Sequence, residues 1–278
     1  MEMNDRIHTY LPSLTRSEQK VAESVLANTD DLMYYSVTEL ADFAGVGETT
    51  VMRFCRKIGF NGYQDFKLSL AQNVGVRRTD GQDEDEDEDH SDFVKMIYET
   101  NVNILKSSMS LLAKENLMQA IEWIDEARHV QFFGVGASGI TALDAKNRLL
   151  RIGRRSEAAT DSHIQAMMAV SMSEGDVAFG ISVSGSTIDT NNMLMKAKEN
   201  GAKVIAITNY AKSPITAIAD IVLLTAGKEM PLEGGSIGAK ISQLFIIDLI
   251  CEGLARRNVV LTKQMKEKTA RAVIDRSY

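Results

Sequence analysis

The stretch "DVAFGISVSGSTIDTNNMLM", residues 176–195, runs from five apolar or small residues straight into a turn crowded with hydroxyls and then into an amphipathic segment. The run Val177–Ile181 is too short for a buried helix and reads as a buried strand, and Thr187 opens a helix. A strand that returns through a helix is the repeating unit of a parallel sheet. The turn raises its own question. Ser182, Ser184, Ser186 and Thr187 surround Gly185, yet capping a helix needs one hydroxyl. A turn at a helix N-terminus presents free backbone N–H groups and the positive end of the helix dipole. Gly185 lets the backbone come close to a ligand, and the hydroxyls add donors around the same point. The stretch therefore reads as an anion cradle, with phosphate the expected anion. It contains no Lys, and G-x-x-x-x-G-K-[ST] occurs nowhere in the chain, so a nucleoside triphosphatase is not expected.

The same unit recurs on either side. Strands are expected at 129–134, 154–160, 176–182, 203–208 and 220–226. Helices are expected to start near Ser138, Asp161, Thr187 and Ser213, with a long one over 236–257. Two amphipathic helices, about 93–113 and 115–127, precede them. Near-continuous apolar strands alternating with helices predict a parallel-sheet α/β sandwich of flavodoxin-like type, covered on both faces. A second glycine-rich turn, "GVGASG" at 134–139, follows the first strand. It is a literal G-x-G-x-x-G, and Glu157 or Asp161 lies about 20 residues on, as in a dinucleotide site. That rival reading leaves the hydroxyl-rich turn without a role, and a lone fingerprint of this kind is weak. No resident cofactor is expected.

Residues 1–77 look different: short helices between polar turns. Thr15 and Glu18 have capping-box spacing, and Ser36 can cap a helix carrying Val37, Leu40 and Phe43. Gly45 and Gly47 permit a tight turn into "ETTVMRFCRKIG". There Val51, Phe54, Cys55 and Ile58 form an inward stripe and leave Thr49, Thr50, Arg53, Arg56 and Lys57 facing elsewhere. Residues 50–78 hold six basic side chains against one acid. A short helix with a basic outer side and hydroxyls at its start suits the major groove. Arg53 is the expected base contact, Thr49 and Thr50 lie near bases or phosphates, and Lys57 reaches phosphate. The bland alternative is a helical packing domain with a few surface cations.

Charge has to be read by region. The chain of 278 residues carries −7, but nine of its acids lie in residues 80–92, so without that run the balance is +2. The sequence divides into an all-α helix-turn-helix domain (1–77), an acidic linker (78–92) and the α/β domain (93–278, core about 107–257). The acidic run reads as a self-repelling tether; competition with DNA phosphate for the basic surface is the sharper alternative. Two cysteines, Cys55 and Cys251, far apart in apolar surroundings, give no disulfide framework or metal cluster and fit a reducing cytoplasm. Apolar stretches such as "LFIIDLI" are interrupted by charge well short of a membrane span, and the amino terminus has no signal-peptide core.

On these residues the chain resembles the RpiR family of bacterial transcription regulators, in which a helix-turn-helix precedes a SIS (sugar isomerase) domain. The phrases that carry the likeness are "LTRSEQKVAESVLAN", "VMRFCRKIGFNGYQDFKLSLA", "SHIQA", "KVIAITN" and "SQLFIID", with "GVGASG" and "SVSGST" as the two ligand loops. The resemblance implies a regulator, expected to be a repressor, that binds operator DNA as a homodimer or homotetramer and senses a phosphorylated sugar. It places the phosphate on Ser182, Ser184, Gly185, Ser186 and Thr187, with Ser186 at a position where the family often has Glu. It places the sugar beside Gly136, Ala137 and Ser138. "DSHIQA" resembles the MurR-like subset that responds to amino sugar 6-phosphates, which adds His163; an ordinary Asp161 cap with a partly exposed His163 reads the same residues equally well. Ala239 and Lys240 stand where the family commonly has Ser-Arg, and "EMPLEGGSIG" before them could reshape the ligand loop. An isomerase would need a general base near the sugar; His163, Glu229 and Glu233 are the candidates, and none sits in a second catalytic motif. The expected activity is binding, not catalysis.

Overall fold

The computed structural model describes residues 3–79, 92–227 and 237–274. The acidic run 80–91 and most of "EMPLEGGSIG", including Glu229 and Glu233, lie outside them. The described residues divide into two compact units, one up to residue 98 and one from residue 99 onward.

The first unit is helical: α1 (Met3–Tyr10), α2 (Arg16–Ala27), α3 (Thr29–Leu32), α4 (Val37–Phe43), α5 (Glu48–Lys57) and α6 (Tyr63–Thr79). Both expected capping boxes are present. Thr15 and Glu18 close the start of α2, and Ser36 and Glu39 that of α4. The inward stripe of α5, Val51, Phe54, Cys55 and Ile58, is fully buried against Val21, Val25, Leu40 and Phe66. Helices α4 and α5 each end the same way. Gly45 (φ +63°) and Gly59 (φ +91°) take the left-handed conformation, while Val46 N–H donates to Ala41 O and Phe60 N–H to Cys55 O. This is the Schellman geometry that a glycine one residue past the cap allows. Gly47, by contrast, has φ −84° and simply precedes α5, so the turn needs one glycine and not two. Phe43 is also not a core residue: it is about half exposed and meets Tyr35 edge-on at 5.9 Å.

The division between the units falls within α7 (Asp92–Leu111). The second unit continues with α8 (Lys114–Glu126), β1 (Val130–Phe133), α9 (Gly136–Arg151), β2 (Ser156–Ala158), α10 (Ser162–Ser171), β3 (Val177–Ile181), α11 (Ile188–Glu199), β4 (Lys203–Thr208), α12 (Pro214–Ile218), β5 (Ile221–Leu224), α13 (Ile237–Arg257) and α14 (Val259–Arg271). All strand pairs are parallel, in the order β2-β1-β3-β4-β5. Alternation along the strands builds two cores. Phe132, Phe179, Ile181, Ile205 and Ile207 face α8, α9 and α13; Phe133, Ala178, Val204 and Ala206 face α10, α11 and α12. Each of the larger side chains stabilises the fold by about 1.5–3 kcal/mol through burial. Apart from Phe133 the second face of the sheet is lined by small residues, and Gly180 lets Leu194 of α11 sit directly on β3, where a Cβ would collide with it. Ile246, Ile247, Ile250 and Leu254 bury α13 against the sheet. The Met-rich α10 segment packs through Ala169 and Met172, while Met167 remains exposed.

Candidate functional site

This strand order reverses direction between β1 and β3, since α9 packs on one face of the sheet and α11 on the other. The turns that follow those two strands, 134–138 and 182–187, are therefore neighbours at the carboxyl edge, with Phe133 level with Gly180. Ligands of open α/β sheets bind in the crevice at such a switch point.

The hydroxyls of 182–187 do not serve as caps. The N-cap of α11 is Thr187, and its side chain makes no capping bond; its Oγ1 lies 3.0 Å from Ser182 Oγ instead. The N-cap of α9 is Val135, which has no polar side chain to offer. The helix between them in sequence, α10, is capped in the ordinary way, Asp161 Oδ1 accepting from Ile164 N–H at 2.9 Å. The two helix starts at the switch point are thus left without side-chain caps. Within the turn, Gly185 N–H donates to Ser182 Oγ (3.1 Å) and Ser186 N–H to Ser184 Oγ (3.2 Å). These bonds occupy lone pairs; Ser186 Oγ donates back to Ser184 O at 3.3 Å and one hydrogen joins Ser182 to Thr187, which leaves the Ser184 hydroxyl and one of the Ser182–Thr187 pair to donate outward. Gly185 has φ +63°. Its carbonyl accepts from Ile215 N–H at 2.9 Å and from Asn191 Nδ2 at 3.1 Å, which fastens the turn to α12 and α11. The arrangement can bind an anion through neutral donors and a helix terminus, with no charged side chain in the turn.

The glycines of the first turn have packing roles. Gly134 and Gly139 touch backbone to backbone, a Cβ on Gly139 falling 3.0 Å from Gly134 O, and Gly136, exposed at φ +57°, lets the chain enter α9. Ala137 is half-buried and Ser138 buried. Two buried glutamines that the sequence reading passed over hold this turn from below. Gln165 Nε2 donates to Gly134 O and to Ala159 O, both at 2.9 Å. Gln243 Nε2 donates to Ser138 Oγ at 3.2 Å. Their signal was available: in "SQLFIID", Gln243 falls on the helix face of Ile246, Ile247 and Ile250, and an amide on a buried stripe has to find a partner. Asn191 was missed for the same reason. His163 lies exposed in the first turn of α10. Among the described residues no group of three His, Cys, Asp or Glu could hold a metal, and no helix is long and apolar enough to cross a membrane.

On α5, Thr49, Arg53 and Arg56 are exposed. Thr50 is not: it is buried on the packing side, its Oγ1 accepting from Arg53 at 3.4 Å, because it precedes Val51 and Phe54 on the inner arc of the helix. Lys57 is half-buried and paired with Glu18 at 3.0 Å, so it ties α5 to α2. Burial pushes the Glu18 carboxyl up, but the Thr15 N–H, Lys57 and the Thr15 hydroxyl outweigh that and hold it below its ordinary value. Arg6 donates to Ile58 O (2.6 Å) and Gly59 O (2.9 Å) and lies 4.2 Å above the Phe60 ring, closing the carboxyl end of α5.

Comparison with known proteins bears on both units. Residues 1–76 match the helix-turn-helix domain of the rpiR family and residues 124–252 match the SIS domain. An HTH-type transcriptional regulator of Haemophilus influenzae is 36% identical over 278 residues, covering 98% of this chain and 96% of its own. HexR of Escherichia coli, also an HTH-type transcriptional regulator, is 32% identical over 92% of this chain and 89% of its own. The solved structure of Vibrio vulnificus NanR complexed with ManNAc-6P superposes with a TM-score of 0.88 at 28% identity, covering 99% of both chains. With its helix-turn-helix and its SIS domain both matched in that order, the chain belongs to the rpiR family of transcriptional regulators.

Proposed function

We propose that this regulator is controlled by a phosphorylated sugar bound at the switch-point crevice, an amino sugar 6-phosphate being the favoured effector. The observation that carries the reading is the uncapped start of α11 beside Ser182, Ser184, Ser186 and Thr187. The phosphate sits on those residues and Gly185, and the sugar lies beside Gly136, Ala137, Ser138 and His163. That NanR was solved with ManNAc-6P supports the choice of ligand class. Thr49, Arg53 and Arg56 contact operator DNA, and the effector shifts the spacing of paired α5 helices in a cytoplasmic homodimer or homotetramer that acts as a repressor.

The test is thermal melting of the protein against hexose and N-acetylhexosamine 6-phosphates and the same sugars without phosphate. A rise in melting temperature with one phosphosugar and none with its parent sugar is expected, since a ligand that binds only the folded state stabilises it. A rise with a nicotinamide dinucleotide alone sinks the proposal. For the DNA contacts, Arg53→Ala and Arg56→Ala should each weaken operator binding. A phosphate-contacting Arg would also lower the slope of log affinity against log salt by about one.

A further inference from the structure

Ser138 is the one hydroxyl of the first turn, and it is buried. Gln243 Nε2 donates to its Oγ at 3.2 Å, and Gln243 Oε1 accepts from Thr141 Oγ1 at 3.0 Å. Gln243 is itself 1% exposed. A hydroxyl has one hydrogen and two lone pairs. The amide presents its N–H to Ser138 and turns its oxygen to Thr141, so it occupies a Ser138 lone pair and does not take the Ser138 hydrogen. No acceptor for the Ser138 hydrogen occurs among the described residues.

We propose that Gln243 is a positioning residue that makes Ser138 a hydrogen-bond donor to the ligand. The crevice therefore selects a ligand carrying an oxygen acceptor, a sugar hydroxyl, ring or carbonyl oxygen, beside the turn 134–138. The relay runs from Thr141 through Gln243 to Ser138 and ends on that oxygen. It rests on the reading of the crevice as a sugar phosphate site and adds to it the polarity of one contact. A carboxylate at position 243 accepts only. It would draw the Ser138 hydrogen inward and turn a lone pair toward the ligand oxygen.

The experiment measures binding by titration calorimetry at pH 8, with N-acetylmannosamine 6-phosphate, N-acetylmuramic acid 6-phosphate, glucose 6-phosphate and inorganic phosphate as probes. For the sugar phosphate that wild type binds most tightly, Gln243→Glu should lose about tenfold in affinity and Gln243→Met about threefold, the scale of one misdirected or loosened hydrogen bond. Inorganic phosphate, held by 182–187, should change less than about twofold. In a Ser138→Ala background both substitutions at 243 should have no further effect, since residues that act through one another are not additive. The Met variant keeps the test open if the buried carboxylate prevents folding. Unchanged sugar phosphate affinity in both variants overturns the proposal. So does a loss that persists in Ser138→Ala, or one equally large for inorganic phosphate. A wild type that binds no sugar phosphate overturns the reading of the crevice itself, and is recognised because the failure appears before any substitution is made.

Discussion

Gly185→Ala is the sharpest perturbation of the phosphate turn, and its magnitude follows from the geometry. Gly185 has φ +63°, and placing a Cβ in the left-handed region costs about 1–2 kcal/mol. The added atom would also lie 2.7 Å from Ser213 Cβ and 2.9 Å from Ile215 Cγ2, and closer still to Ser213 Oγ. Both neighbours are buried and belong to the start of α12, so relief requires moving packed backbone. Overpacking of that kind costs about 1–3 kcal/mol. The turn cannot slide away freely either, because the Gly185 carbonyl is bonded by both Ile215 N–H and Asn191 Nδ2. The expected destabilisation of the α/β unit is therefore roughly 2–5 kcal/mol, or about 5–20 °C in melting temperature at about 2–4 °C per kcal/mol. Calorimetric melting with and without inorganic phosphate, at a concentration high enough to fill a weakly binding site, reads both effects: a lower transition, and loss of the phosphate-induced rise. Ser184→Ala is the contrast. It removes one acceptor of Ser186 N–H and should cost only about 1 kcal/mol, yet weaken the phosphate response. A Gly185→Ala protein that melts with wild type and keeps its phosphate response would refute the argument, since it would mean that neither the conformation nor the contact with Ser213 constrains the turn.

Three further outcomes follow from the same structure. Arg6→Ala removes two bonds to the end of α5 and a cation over Phe60, and should destabilise the helix-turn-helix unit by roughly 1–3 kcal/mol in a urea titration. Glu18 ionises more readily folded than unfolded, so its contribution is complete above the ordinary Glu range and is lost as pH falls through and below it. Urea titrations at decreasing pH should show this loss in wild type and much less of it in Glu18→Gln. Burial pushes the thiols of Cys55 and Cys251 up to about 12, so Ellman's reagent should label neither at pH 8 in the native protein and both in guanidinium.

The sheet was legible because its information is local. Val177–Ile181 and Lys203–Thr208 are apolar enough to read as strands in isolation, and four such segments with the polar edge strand Ser156–Ala158, alternating with helices, leave few topologies open. The turn proposed to hold phosphate stood out for the opposite reason: four hydroxyls around a glycine are more polar groups than one helix start needs. What escaped notice depends on rotation about a helix axis and on distant partners. Thr50 looked like a solvent-facing companion of Thr49, but a shift of about 100° per residue puts it on the buried arc beside Val51. That Lys57 pairs with Glu18, 39 positions away, could not be read from either segment. Gln243 and Ser138 are 105 positions apart, and no pattern within either segment announces that they meet.

The lack of a cation in the turn 182–187 bears on what the site can distinguish. A Lys there would bind any phosphate, since a point charge reads only charge. Every cell holds inorganic phosphate, and a sensor that bound it tightly would be saturated at all times. Neutral hydroxyls and a helix terminus provide a weaker hold, with each hydrogen bond adding about 0.5–1.5 kcal/mol, so phosphate alone fills the crevice poorly. Occupancy is then decided by the part of the ligand that reaches the neighbouring turn at 134–138, where Ser138 is oriented by a buried amide. Division of labour between the two turns of the switch point explains why both have specialised starts. On the proposed reading, the turn after β3 would recognise the class of ligand and the turn after β1 its identity. The reversal in strand order makes them neighbours while their helices run to opposite faces of the sheet.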